Sequence, residues 1–404
     1  MSLFPPSSGT TPSTPEDWRS RDWEIQDLFS PAAPISEASL VAGRRSQIQR
    51  LGDAVFEKGR HAILFGERGV GKTSVANTFH MTFAGIKSIA SIRKAAFPSD
   101  TFTTLWRRIF HEMEIDGERV SSRHQGEITP DDVVRELGNF SLNTLPIIIL
   151  DEFDKLADVA SKRLISHTIK SMSDDRANMA TIVIVGVAED VNLLIEEHAS
   201  ISRNIAEIKM PRMTEEEMNG ILDLRYPRVG ITIQDDARHV IISLSRGLPE
   251  YVHFLGRDAA RNAIKSQRLV VQRADALVAI DGMVKNSDQT TDEAYSKAVL
   301  SNKRNNLYRQ VLLACAIAKR DDLGRFIPSD VLPPLTKILG RNIKIANFFP
   351  HLEAFCETER GAILEKKGAP KAYKYRFKEP KMQPYVVMRS FTDQLLPPED
   401  IMEL

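Results

Sequence analysis

The stretch Gly66-Glu67-Arg68-Gly69-Val70-Gly71-Lys72-Thr73 constrains this chain more than any other. Two glycines separated by four residues and followed by Lys and Thr make a phosphate-cradling loop, provided a strand leads in and a helix leads out. Both flanks are present. His61-Ala62-Ile63-Leu64-Phe65 is a short, largely apolar run with strand character, and Ser74 to Phe79 continues as a helix. The glycines free the backbone to turn, so that successive N–H groups converge on phosphate oxygens while the helix start adds its partial positive charge. In such a loop Lys72 is expected to reach the terminal phosphates and Thr73 to offer its hydroxyl to a magnesium ion. Gly66, Glu67, Arg68, Gly69, Val70, Gly71 and Ser74 complete the expected nucleotide contacts.

Further along, Pro146-Ile147-Ile148-Ile149-Leu150 runs into Asp151-Glu152. A continuously apolar run of this kind reads as a strand buried on both faces of a parallel sheet. Its two acids then emerge at the carboxyl end, where open α/β sheets hold their ligands. Asp151 is the natural partner of the magnesium ion, and Glu152 the natural base that orients and polarises an attacking water. A third apolar run, Thr181 to Ala188, follows a helical stretch from Lys162 to Ser173. Alternating strands and helices predict an α/β fold, a parallel sheet with helices on both faces. No Asn-Lys-x-Asp guanine signature occurs, since Asn302-Lys303-Arg304-Asn305 lacks the final acid, so ATP is the expected nucleotide.

A length of 404 residues calls for two or three domains. An apolar share of 42% with 27% charged residues is that of a soluble globular protein. The only cysteines, Cys315 and Cys356, have no metal-ligand spacing, which points to a reduced, cytoplasmic setting. Residues 1–15 are rich in Pro, Ser and Thr without a secretory pattern, and residues 1–39 are expected to form a flexible arm. Trp18, Trp23, Ile25, Leu28 and Phe29 would pack this segment onto the first domain. No run is long enough to cross a bilayer, so no membrane partner is expected. Basic and acidic side chains balance at 54 each, yet residues 301–389 hold 18 Lys or Arg against 8 Asp or Glu. That local excess suits a polyanionic partner.

The loop GERGVGKT, the acidic pair in IIILDEFDK, the strand IVIVGVA and the downstream Ser202-Arg203 together resemble the AAA+ ATPases. Within them the chain is similar to the branch of origin-recognition-type replication initiators and their bacterial relatives in transposition and defence, over about residues 40 to 390. The resemblance implies a nucleotide-binding domain at 40–213, a helical lid at 214–300 and a homo-oligomer with ATP at its subunit junctions. It also implies an arginine finger at Arg203, reaching a neighbouring subunit's nucleotide, a task suited to a planar and permanently charged guanidinium. Two positions depart from the pattern. Glu189 stands where relatives commonly carry Asn, and Glu250 follows Gly247-Leu248-Pro249 where they carry Arg. Nucleotide sensing is expected to differ there, with slow hydrolysis.

Thr214-Glu215-Glu216-Glu217 is a capping box that opens the lid. Arg246, His253 and Arg257 are expected on a solvated lid face. From residue 301 to 390, three helical stretches precede a hairpin of Ile363–Gly368 and Tyr373–Lys378, the order of a winged helix. Lys366, Lys367, Lys371, Lys374, Arg376 and Lys378 crowd this hairpin among Tyr373, Tyr375 and Phe377, so duplex DNA is the expected partner. The competing reading makes the wing a protein-docking surface on a signalling or scaffold ATPase whose oligomer activates a separate effector protein. Residues 391–404 are an acidic tail without a motif. The chain shows no nuclease, deaminase or protease constellation of its own.

Overall fold

The computed structural model describes residues 12–29, 40–83, 86, 88–115, 117–140, 144–175, 179–188, 191–194, 201–301, 306–321, 323–369 and 372–397. The chain divides into two compact units, one of residues 34–211 and one built from residues 1–33 together with 212–404. Helix α1 (Pro15–Leu28) belongs to the second of these.

The unit 34–211 is a five-stranded sheet with helices α2 (Arg45–Phe56), α3 (Lys72–Phe83), α4 (Phe102–Phe110), α5 (Pro130–Phe140) and α6 (Val159–Asp174). Its strands are β1 (His61–Gly66), β2 (Ile89–Ala95), β3 (Leu145–Asp151), β4 (Thr181–Val187) and β5 (Ile205–Lys209). They lie side by side in the order β2-β3-β4-β1-β5, and every pairing is parallel. The apolar sequences explain the centre of this order. β1, β3 and β4 are buried almost throughout, as strands covered on both faces must be. Trp106, Phe110 and Leu137 pack with Ile148 and Ile182 in the core. Because all strands run the same way, Gly66 of β1 and Asp151 of β3 share the carboxyl edge, separated only by the end of β4.

The second unit is mainly helical: α7 (Glu215–Arg225), α8 (Asp235–Ser245), α9 (Pro249–Lys265), α10 (Arg273–Lys285), α11 (Gln289–Val299), α12 (Tyr308–Ile317), α13 (Pro328–Leu339), α14 (Ile345–Phe355) and α15 (Met382–Thr392). The expected capping box holds: Glu217 N donates to Thr214 Oγ1 at 3.2 Å, and Thr214 N donates to Glu217 Oε2 at 3.1 Å. Strands β6 (Leu364–Lys367) and β7 (Lys374–Phe377) form an antiparallel hairpin. Phe326 extends it through reciprocal 2.8 Å bonds with Tyr375. Among the described residues, no helix is long and apolar enough to cross a membrane.

Two expectations for the N-terminal segment are corrected. Residues 15–28 are no flexible arm but a helix capped by Thr14 and Asp17, with Pro15 in its first turn. They also belong with the lid helices, in the unit of residues 1–33 and 212–404, where α1 lies against α9. Arg261 pairs with Asp22 at 2.8 Å, and Arg225 Nε donates to the Leu28 carbonyl at 2.9 Å. Phe29 is seated between Tyr226 and His253, over Gly256, where an added Cβ would come within 2.9 Å of its ring. His253, expected on a solvated face, is therefore buried, and its ring is held well below the usual imidazole range, at about 3, by that burial. Trp23 points the other way, 62% exposed.

Candidate nucleotide site

The loop leaving β1 turns on glycines in the left-handed region, Gly69 at φ 86° and Gly71 at φ 93°. At Gly66 the constraint is space as well, since a Cβ there would meet the Met210 carbonyl oxygen at 2.3 Å. Arg44 braces the loop from behind. Its buried guanidinium donates through Nη2 to the Val70 carbonyl at 2.9 Å and to the Pro211 carbonyl at 2.8 Å. The helix begins at once, with Val75 N donating to the Gly71 carbonyl at 3.1 Å. Lys72, 7% exposed, folds its ammonium back onto the loop and donates to the Gly66 carbonyl at 3.1 Å and the Glu67 carbonyl at 2.7 Å. Burial pushes this ammonium down to about 8, a fall that the carboxylates of Asp154 and Asp151 only partly offset.

Across the end of β4 lies Asp151, 1% exposed. Its Oδ1 accepts from the Glu152 backbone N–H at 2.8 Å and faces Thr73 Oγ1 at 3.4 Å. Its Oδ2 accepts two bonds from Arg93 of β2, from Nη2 at 2.6 Å and Nε at 3.1 Å. Glu152 adopts a left-handed backbone, φ 51°, which swings its half-exposed side chain out of the strand line; Lys155 pairs with it at 2.8 Å. Asp154 ties the motif to β4 by accepting from Val187 N at 2.8 Å. The acids and the loop thus come together as their spacing predicts. Arg44, Arg93 and Asp154 join them without having been singled out in the sequence.

Hydroxyl and carboxylate oxygens at the Thr73–Asp151 junction are the hard donors that magnesium takes, so these residues fit the ion that the loop implies.

Arg203 is exposed, in a short turn (Ser202–Asn204) at the amino end of β5. His61 pairs with Ile205 and Phe65 with Lys209, so Arg203 is at the edge of the sheet opposite the phosphate loop. Glu250 sits in the first turn of α9. Glu189, Lys371, residues 302–305 and the last half of the acidic tail, 398–404, lie outside the described residues.

The hairpin differs from the expected wing in one respect. Strand alternation buries Tyr375 and Phe377, which belong to the core and offer no stacking surface between the lysines. On the outer face Lys374 pairs with Asp321 at 3.1 Å and Arg376 with Glu365, while Lys366, opposite Tyr375 on the other face, pairs with Glu353. Tyr375 donates its hydroxyl to Glu353 at 2.5 Å. Lys367 and Lys378 are exposed. The preceding helix α14, IANFFPHLEAF, carries neither Lys nor Arg.

A sequence profile of the AAA domain family matches residues 57–194, about a third of the chain. With the parallel sheet and the phosphate loop in place, this segment is an AAA domain. A comparison with curated proteins found no match. Among solved structures, the Aeropyrum pernix ORC1 protein, determined in complex with DNA, is similar at 16% identity, covering 88% of this chain and 94% of that one, with a TM-score of 0.47. The ORC2 protein of the same organism, determined as ADPNP–ADP complexes, gives 14% identity, 94% and 98% coverage and a TM-score of 0.49. The Thermotoga maritima RuvB branch migration motor gives 15%, 82% and 91%, and 0.45.

Proposed function

We propose that this chain binds ATP with magnesium in the cradle of Gly66 to Ser74 and hydrolyses it, using the cycle to drive its own assembly. The observation that carries the reading is the meeting of Lys72, Thr73 and Asp151 at one sheet edge, with Thr73 and Asp151 3.4 Å apart. Lys72 exchanges its two loop carbonyls for phosphate oxygens. Thr73 and Asp151 would hold magnesium, which neutralises phosphate charge when bound. Glu152 leaves Lys155 and accepts a proton from the attacking water; the exposed ion pair it breaks is worth at most about 1 kcal/mol. Arg203 serves a neighbouring copy, because five residues of β5 separate it from its own cradle, roughly 15 Å of strand.

Residues 301–390 form the output module, read as a winged helix that meets duplex phosphates. The charge excess of residues 301–389 supports this, since its ion pairs are exposed and cheap to open. The second reading, a protein-docking wing on a scaffold ATPase, is favoured by the carboxylates already facing Lys366, Lys374 and Arg376 and by the uncharged start of α14.

Equilibrium nucleotide binding and steady-state hydrolysis of Lys72→Ala and Glu152→Gln test the core of the reading. Lys72→Ala should lose binding. Glu152→Gln should keep it and lose turnover by about a hundredfold or more, the usual share of a general base. Normal turnover in Glu152→Gln removes that residue from its role.

A further inference from the structure

Arg93 is the one strand residue on β2 whose charged group reaches into the cradle's acid, and no motif of the chain accounts for it. It lies beside Ile149 in the register of β2 with β3, so its side chain runs along the sheet edge toward Asp151. Two of its nitrogens close on Oδ2 of that carboxylate, and Nη1 donates to Asn77 Oδ1 of α3 at 3.3 Å. A carboxylate offers about four acceptor positions. Arg93 takes two, and the Glu152 N–H takes a third. The face left over is the part of Oδ1 turned toward Thr73.

Resting on the ATP-site reading above, we propose that Arg93 is a positioning residue that sets how tightly the site holds its divalent cation. It denies the cation one carboxylate oxygen, Oδ2, and offsets the single negative charge that the two oxygens share. A buried carboxylate with no such partner would attract magnesium on its own and keep it beside ADP after hydrolysis. With Arg93 in place, the phosphates of the nucleotide supply most of the attraction, and the loss of the terminal phosphate loosens metal and ADP together. Arg93 acts through Asp151. Asn77 keeps the guanidinium in line from the helix that begins with Lys72, so the restraint is fixed to the same element as the cradle.

The test is the dissociation rate of a fluorescent ADP from the full chain, chased with unlabelled ADP, once in magnesium and once in EDTA. Binding in EDTA reports the cradle alone and so tests the nucleotide reading separately. For Arg93→Gln, release in magnesium should slow by about tenfold or more relative to the parent, a lower bound because one charge a few ångströms from a divalent ion is worth well over a factor of ten at intermediate dielectric. Release in EDTA should match the parent. Equal rates in magnesium, faster release in magnesium, or the same change in both media would each overturn the proposal. Arg93→Lys, which keeps the charge but can fill only one acceptor position, decides the matter if Arg93→Gln does not fold. Its release in magnesium should slow by a few fold with no change in EDTA, and parental behaviour in both would overturn the idea.

Discussion

Titrating ATP into the protein at about pH 8.5 instead of about pH 7 perturbs one group at the centre of the site, the ammonium of Lys72. Within the cradle that ammonium is brought from 10.5 to about 8 by burial, equivalent to ~3 kcal/mol of lost preference for the charged form. Phosphate oxygens restore the preference, so binding selects the protonated lysine. At about pH 7 nearly all of it is already charged and binding takes up only about a tenth of a proton. At about pH 8.5 roughly three-quarters is neutral, and binding should take up about 0.7 of a proton. The sign follows from linkage: the bound state holds more protons, so affinity must fall as pH rises through 8, tending to tenfold per unit. Calorimetry in two buffers of different ionisation enthalpy reads the uptake directly. Lys72→Arg, whose guanidinium stays charged, should abolish it whatever happens to affinity. Proton-neutral binding by the parent at about pH 8.5, or an affinity unchanged between about pH 7 and pH 9.5, would refute the account.

Mixing Arg203→Ala with Lys72→Ala subunits should restore part of the ATPase rate, because each supplies what the other lacks; a co-assembled but inert mixture removes Arg203 from a trans role. Replacing Lys366, Lys367, Lys374 and Arg376 by Ala should weaken duplex binding and flatten its salt slope by about one unit for each phosphate no longer neutralised, leaving ATP binding intact. Parental affinity and slope would assign the wing to protein docking. His61 is buried with Nδ1 accepting from Ile182 N at 3.0 Å, and burial pushes its ring down to about 4. The unfolded chain binds the proton first, so stability should fall as pH drops from 6.5 toward 4, by ~2–3 kcal/mol from this residue. His61→Gln should lose that part of the acid slope in urea unfolding, and an unchanged slope would sink the assignment.

The cradle was legible because its chemistry is local: glycine spacing, Lys72 and Thr73 are contiguous, and an uninterrupted apolar run announces a buried strand ending in Asp151 and Glu152. Arg93 was not, since Ser91-Ile92-Arg93-Lys94 says nothing until the register of β2 with β3 puts its guanidinium beside Asp151. Arg44 escaped for the same reason, its partners lying at Val70 and Pro211. The N-terminal helix did leave a local signal, the Thr14–Asp17 capping box with Pro15 between, outweighed by the composition around it. On the hairpin, the alternation of Lys374, Tyr375, Arg376 and Phe377 already separates two faces. Counting the aromatic residues with the lysines ignored that period of two.

Because residues 1–33 and 212–404 make one unit, the AAA domain is an insertion within another domain's sequence. On the ribosome the first piece of that outer unit emerges and then waits for about 180 further residues, roughly 10–40 s at ordinary translation rates. Until then Phe29 has neither Tyr226 nor His253 to cover it, and Asp22 has no Arg261. The nucleotide-binding sheet can close during this delay, whereas the outer unit can complete itself only afterwards. Synthesis therefore imposes an order of maturation, and removing α1 disturbs the unit that completes itself last.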